Sequence, residues 1–138
     1  MQLPPTDPKD TPDVVRIVNV LNAFARMADV GPVAQIGKLL ADDVEWHMSG
    51  VVWRGHTAVL EGLAEMRALG HAGPDSGNRH VVTNQEVYVE AERARAFSYF
   101  LLVSRADPAS ILVTGSYRDE LRRCEDGRWL LARRDVSV

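Results

Sequence analysis

A second cysteine is missing: Cys124 stands alone, so no internal disulfide can form, and no basic-then-apolar leader opens the chain. A reducing, cytoplasmic setting is the expectation. No apolar run approaches the ~20 residues that a membrane-spanning helix needs, so no membrane partner is expected. An excess of positive charge is lacking too. The 16 Lys and Arg are outnumbered by 19 Asp and Glu, for a net charge of -3, which leaves no electrostatic footprint for nucleic acid. There is no phosphate-cradling glycine loop, no CxxC pair, no HExxH and no GxSxG. The four histidines, at 47, 56, 71 and 80, lack the short spacings of a metal site. Neither a metal nor another cofactor is expected.

What is present is 138 residues with 46% apolar side chains, enough for one domain that buries about 68% of its unfolded surface. Residues 1–12 hold four of the seven prolines and almost nothing apolar, and read as a mobile tail ahead of a single domain over 13–138. Val14, Ile17, Val18, Leu21, Phe24, Ala25 and Ala28 recur at helical spacing, predicting a first helix from Asp13 to about Asp29, with Asp13 or Thr11 to cap it. Gly31 and Pro32 separate it from a second helix carrying Val33, Ile36, Leu39 and Leu40. Strands are expected at 44–48 and 51–54. A third helix follows, capped by Thr57 and buried through Val59, Leu60, Leu63, Met66 and Leu69. Residues 71–78 form a turn-rich loop, a candidate lid. From Arg79 onward four strands are expected (80–90, 94–104, 111–124 and 128–138), joined by hairpin turns. Helices first and strands after indicate an α+β domain, its helices covering one face of a curved antiparallel sheet.

A few polar residues stand where such a domain opens to a ligand. Asp29 lies at the C-terminal end of an apolar helix, where the dipole disfavours a negative charge; it is a base with a raised pKa or a solvated turn residue. His80 begins a strand of core-like neighbours and is either a proton carrier or a satisfied structural histidine. Asn84 is two pleats further along, on the same face unless a bulge intervenes, or else on the outer face. Tyr117 and Asp119 share a strand face with Leu121 and should point inward, Asp119 pairing with Arg134 or another strand arginine. Trp46, Trp53 and Met66 are pocket wall or plain core. Arg118, Arg122, Arg123, Arg128, Arg133 and Arg134 interleave with Asp119, Glu120, Glu125, Asp126 and Asp135, as on a cross-paired sheet surface.

The ordered set RHVVTN (79–84), ERARAFSY (92–99), GSYRDEL (115–121) and DGRWL (126–130), with Asp29 and the LLADDVEW segment ahead of it, resembles the SnoaL-like branch of the nuclear transport factor two-like superfamily over residues 13–138. The resemblance implies a cone-shaped, cystatin-like α+β fold of three N-terminal helices against a curved sheet, assembled as a homodimer or homotrimer. It implies a cofactor-independent lyase (dehydratase) or isomerase acting on a small apolar hydroxy or keto compound of steroid, polyketide or aromatic type. Asp29 and His80 match the aspartate and histidine that work as a pair in scytalone dehydratase and bile-acid dehydratase relatives. The helix-one tyrosines of those enzymes are replaced by Phe24 and Ala28. Tyr99 falls near a slot where relatives carry another polar residue, and is the candidate to polarise a carbonyl. Polyketide cyclisation, epoxide opening by Asp29, Arg134 and Asp119, and a non-catalytic ligand-binding or assembly subunit stay open as alternatives.

Overall fold

The computed structural model describes residues 7–138. Part of the expected tail, residues 1–6, lies outside the described residues. After it, Arg16 donates to the carbonyls of Pro8, Lys9 and Thr11 at 2.9–3.1 Å.

Helix α1, Asp13–Val30, forms because Ile17, Leu21 and Phe24 fall on one stripe and are buried together. Neither expected side chain caps it: Pro12 occupies the cap position. The Asp13 carboxylate instead accepts from Trp129 Nε1 at 3.0 Å, tying the helix start to the last strand. The second helix is shorter than its apolar stripe predicted. Helix α2 is only Val33–Ile36, a 3-10 turn covers Gly37–Leu39, and Leu40 already opens strand β1, Leu40–Met48. Gly37 accounts for the break. A Cβ there would stand 2.9 Å from His56 Cε1, and the Gly37 carbonyl takes a 2.8 Å hydrogen bond from His56 Nε2.

Strand β2, Val51–Arg54, pairs back on β1. Helix α3, His56–Ala68, starts from Gly55, not from a Thr57 cap, and Gly62 lets it lie flat against the Trp53 ring. The chain then crosses to the far edge and returns as a meander: β3 Arg79–Glu90, β4 Arg93–Val103, β5 Ile111–Arg123 and β6 Trp129–Ser137.

The resulting order is β2-β1-β6-β5-β4-β3. The expected antiparallel sheet is in fact mixed, because β6 returns beside β1 running in the same direction. Among the described residues the architecture is α+β, with three α-helices and one six-stranded sheet. Register places Ala96, Asp119, Arg134, Trp46 and Trp53 in one row across the inner face, and Ser98, Tyr117, Val136 and Met48 in the next. Helix α1 lies chiefly along β3, the edge strand, and that seam positions the site.

Candidate active site

Asp29 is in the last turn of α1 and 5% exposed. A carboxylate buried at the negative end of a helix needs compensation, and two elements supply it. Arg67 reaches over from α3 and donates to the carbonyls of Met27 and Ala28 at 2.7 and 3.2 Å, covering the helix end. From the other side comes His80. Because β3 is an edge strand, its outward backbone N–H groups have no strand partner. That of His80 donates to both Asp29 oxygens, at 3.0 and 3.1 Å.

The His80 ring completes the contact, with Nδ1 2.7 Å from Asp29 Oδ1. A carboxylate accepts, so in the neutral ring the proton resides on Nδ1 and Nε2 keeps its lone pair. The imidazole side chain is 16% exposed and tilts against Phe100, with ring centroids 6.4 Å apart. Beside the pair, a groove of about 240 Å³ runs between α1 and β3, its apolar wall made by Ala25, Val30 and Val82.

Deeper on the inner face Arg134 donates to Asp119 through Nε and Nη2 at 2.8 and 3.0 Å, and both residues are almost wholly buried. This is the ion pair expected of Asp119. Burial works against the Arg134 charge, but the Asp119 charge and its hydrogen bonds outweigh it and hold the guanidinium pKa above its usual value. The cation is sandwiched: its central carbon lies 3.7 Å from the Tyr117 ring centroid and 4.8 Å from that of Phe24. Trp46 stacks between Phe24 and Trp53, and Phe100 stacks on Tyr117 at 4.4 Å. Trp46 and Trp53 thus belong to the apolar packing around Arg134, and Met66 is half-buried. Burial pushes the Tyr117 phenol up to about 12; Arg134 opposes this, while the charges of Asp119 and Asp29 add to it. Tyr117 is therefore a neutral donor within the electrostatic reach of the Asp29–His80 pair. Asp29 makes no hydrogen bond or ion pair with Arg134 among the described residues, so the Asp-Arg-Asp arrangement of an epoxide-opening site is not assembled.

Two expected site residues are elsewhere. Tyr99 is on the outer face, 50% exposed, with its ring edge-on to Phe97. Strand β4 turns its small residues Ala94, Ala96 and Ser98 inward together with Phe100. The large residues between them, which look like the core set, face out. Asn84 is exposed, at φ 55°, inside the bulge between Thr83 and Glu86 that breaks the parity counted from His80. Its side chain accepts from Thr83 Oγ1 at 3.0 Å. Sequence reasoning missed Ser98, whose hydroxyl is buried without a partner, as is Trp46 Nε1. The run of small inward residues was the one available signal for it. It also missed Arg67, which no local pattern connects to the end of α1. Among the described residues no three His, Cys, Asp or Glu side chains gather as a metal site requires.

A family model described as SnoaL-like domain matches residues 9–135. The chain belongs to the SnoaL-like family. No curated protein gives a match. The solved structures similar to this SnoaL-like chain share its nuclear transport factor two-like, cystatin-like fold. One is a cystatin-fold protein of unknown function from Nostoc punctiforme PCC 73102, 20% identical with TM-score 0.79, covering 89% of this chain and 88% of that one. Another is a scytalone dehydratase-like protein from Novosphingobium aromaticivorans DSM 12444, 19% identical with TM-score 0.75, covering 90% and 82%. A third, from Catenulispora acidiphila in complex with S-DNPA, is 23% identical with TM-score 0.75, covering 89% and 90%. Among the described residues, no helix of the SnoaL-like chain is long and apolar enough to cross a membrane.

Proposed function

We propose that this SnoaL-like protein is a cofactor-independent lyase or isomerase, a dehydratase above all, in which Asp29 and His80 handle the proton. The observation that carries the reading is the 2.7 Å contact between His80 Nδ1 and Asp29, which leaves Nε2 as the basic nitrogen beside the groove. In a hydroxy-carbonyl substrate Nε2 takes the proton from the carbon next to the carbonyl, and the Asp29 carboxylate stabilises the imidazolium that results. The imidazolium then returns that proton to the departing hydroxyl, giving water and an unsaturated carbonyl. Returned to a different carbon, the same proton completes an isomerisation. Such general acid–base work is worth about 10²–10⁴ in rate. Tyr117, neutral and buried against Arg134 and Phe100, does not line the groove, and Tyr99 faces outward, so neither tyrosine takes the place of the missing helix-one hydroxyls. The scytalone dehydratase-like neighbour agrees with this chemistry, and the ligand-bound neighbour with a small-molecule substrate.

The test is exchange of α-protons into deuterated water, followed by NMR, for a panel of aryl and alicyclic β-hydroxyketones. Wild-type protein should accelerate exchange or elimination in at least one, and His80→Gln should remove it with the fold intact by circular dichroism. Unchanged rates in His80→Gln would end the proposal.

A second reading has its own support. Phe24 and Ala28 carry no hydroxyl, and stacked side chains fill the inner face around Arg134. A subunit that binds a ligand or assembles with a partner without catalysis fits these features, and would show probe binding without exchange in the same experiment.

A further inference from the structure

We infer that the groove beside Asp29 and His80 takes a substrate whose small apolar body ends in a carboxylate, with Arg26 and Arg79 selecting it; this rests on reading that groove as the reaction site. Each member of the pair has an arginine next to it in the chain: Arg26 is one helical turn before Asp29, and Arg79 immediately precedes His80. Both side chains line the groove and both are exposed.

Six arginines of this protein, Arg54, Arg122, Arg123, Arg128, Arg133 and Arg134, rest on carboxylates. Neither groove arginine does so among the described residues, and the side-chain hydrogen bond of Arg79 is a 3.3 Å contact to the neighbouring Asn78 carbonyl. Asp29, the one acidic residue in the groove lining, forms no ion pair with either arginine among the described residues; its oxygens accept from the N–H groups of His80. The rim therefore carries two guanidinium groups free of ion pairs, one charge in excess of the Asp29 carboxylate, and their planar forks match a carboxylate. Ala25, Val30 and Val82 offer the apolar body its wall. A volume of about 240 Å³ is room on the order of eight water molecules, which suits a one-ring or short acyl body.

The test compares 3-phenylpropanoate with its uncharged amide, 3-phenylpropanamide, by calorimetric titration of the full chain at low ionic strength, with the His80 imidazole NMR signals reporting location. The carboxylate should bind roughly tenfold more tightly than the amide, shift the His80 signals, and lose its advantage in high salt and in the Arg26→Gln/Arg79→Gln double variant. Equal affinity for the two probes, a preference that survives in the double variant, binding that leaves His80 unperturbed, or no binding of either probe would overturn the inference. The two readings fail separately. Carboxylate preference alongside exchange that His80→Gln leaves untouched removes the catalytic proposal alone. Exchange that depends on His80, with no carboxylate preference, removes this inference alone.

Discussion

Asp29 accepts from His80 twice over, once from the ring and once from the backbone of the same residue. The backbone contact sets where the strand edge lies against α1, and the ring contact sets which nitrogen carries the proton. Asp29→Asn therefore has two separable effects. In the amide an NH2 replaces Oδ2, so a donor faces the His80 backbone N–H that Oδ2 accepted from, and the charge that strengthened both contacts is gone, at a cost of about 1–3 kcal/mol in urea unfolding. Turnover should fall by about 10²–10⁴, and nitrogen NMR of the His80 ring should show a mixture of tautomers where the wild type has one.

The Asp119–Arg134 pair should behave as buried pairs do. Asp119→Ala strands a guanidinium among Phe24, Trp46 and Tyr117, and is expected to cost about 3–5 kcal/mol. Replacing both partners by apolar residues, Asp119→Leu with Arg134→Met, should cost much less, because no charge is left unpaired. Chemical denaturation of the single and double variants checks this; equal losses would mean that packing, not charge, dominates.

Tyr117 predicts an alkaline limit. Its phenol ionises near 10.0 in the unfolded chain and at about 12 when folded, so above pH 10 the unfolded state binds fewer protons than the folded one. Stability contributed by the neutral phenol is fully present below pH 10 and is lost as pH rises to 12, by about 2–3 kcal/mol in total. Tyr117→Phe should flatten that part of the stability curve, and should remove the phenol that ionises at about 12 from the ultraviolet titration.

Gly115 is required by close approach. It lies opposite Phe100 on β4, and a Cβ there would meet Phe100 Cε1 at 2.6 Å and press on the carbonyl oxygen of Ser137. Gly115→Ala should displace the Phe100 ring and destabilise the fold by about 1–3 kcal/mol. Because Phe100 lies against both His80 and Tyr117, the His80 NMR signals should shift with it.

How much was legible varied with the range of the forces involved. Helix α1 and the strands from Arg79 onward follow from local periodicity, because the same apolar stripe that patterns the sequence is what the core buries. Asp29 and His80 were picked out by position and resemblance, and parity alone turned Tyr117 and Asp119 inward. Where the expectation failed, for Tyr99 drawn from the resemblance and for Asn84 drawn from parity, the cause is physical. A crowded interior takes small residues on β4, and a bulge shifts the count on β3.

By itself, then, the sequence determined an α+β domain, its family, and two residues 51 positions apart as a candidate pair. Only the tertiary structure decided that an unpaired edge-strand N–H and an imidazole converge on one carboxylate, that Arg67 covers the helix end beneath it, and that Arg134 is sealed among aromatic rings. These contacts join residues distant in the chain. Their geometry is set by packing and desolvation across elements, and no local pattern encodes it.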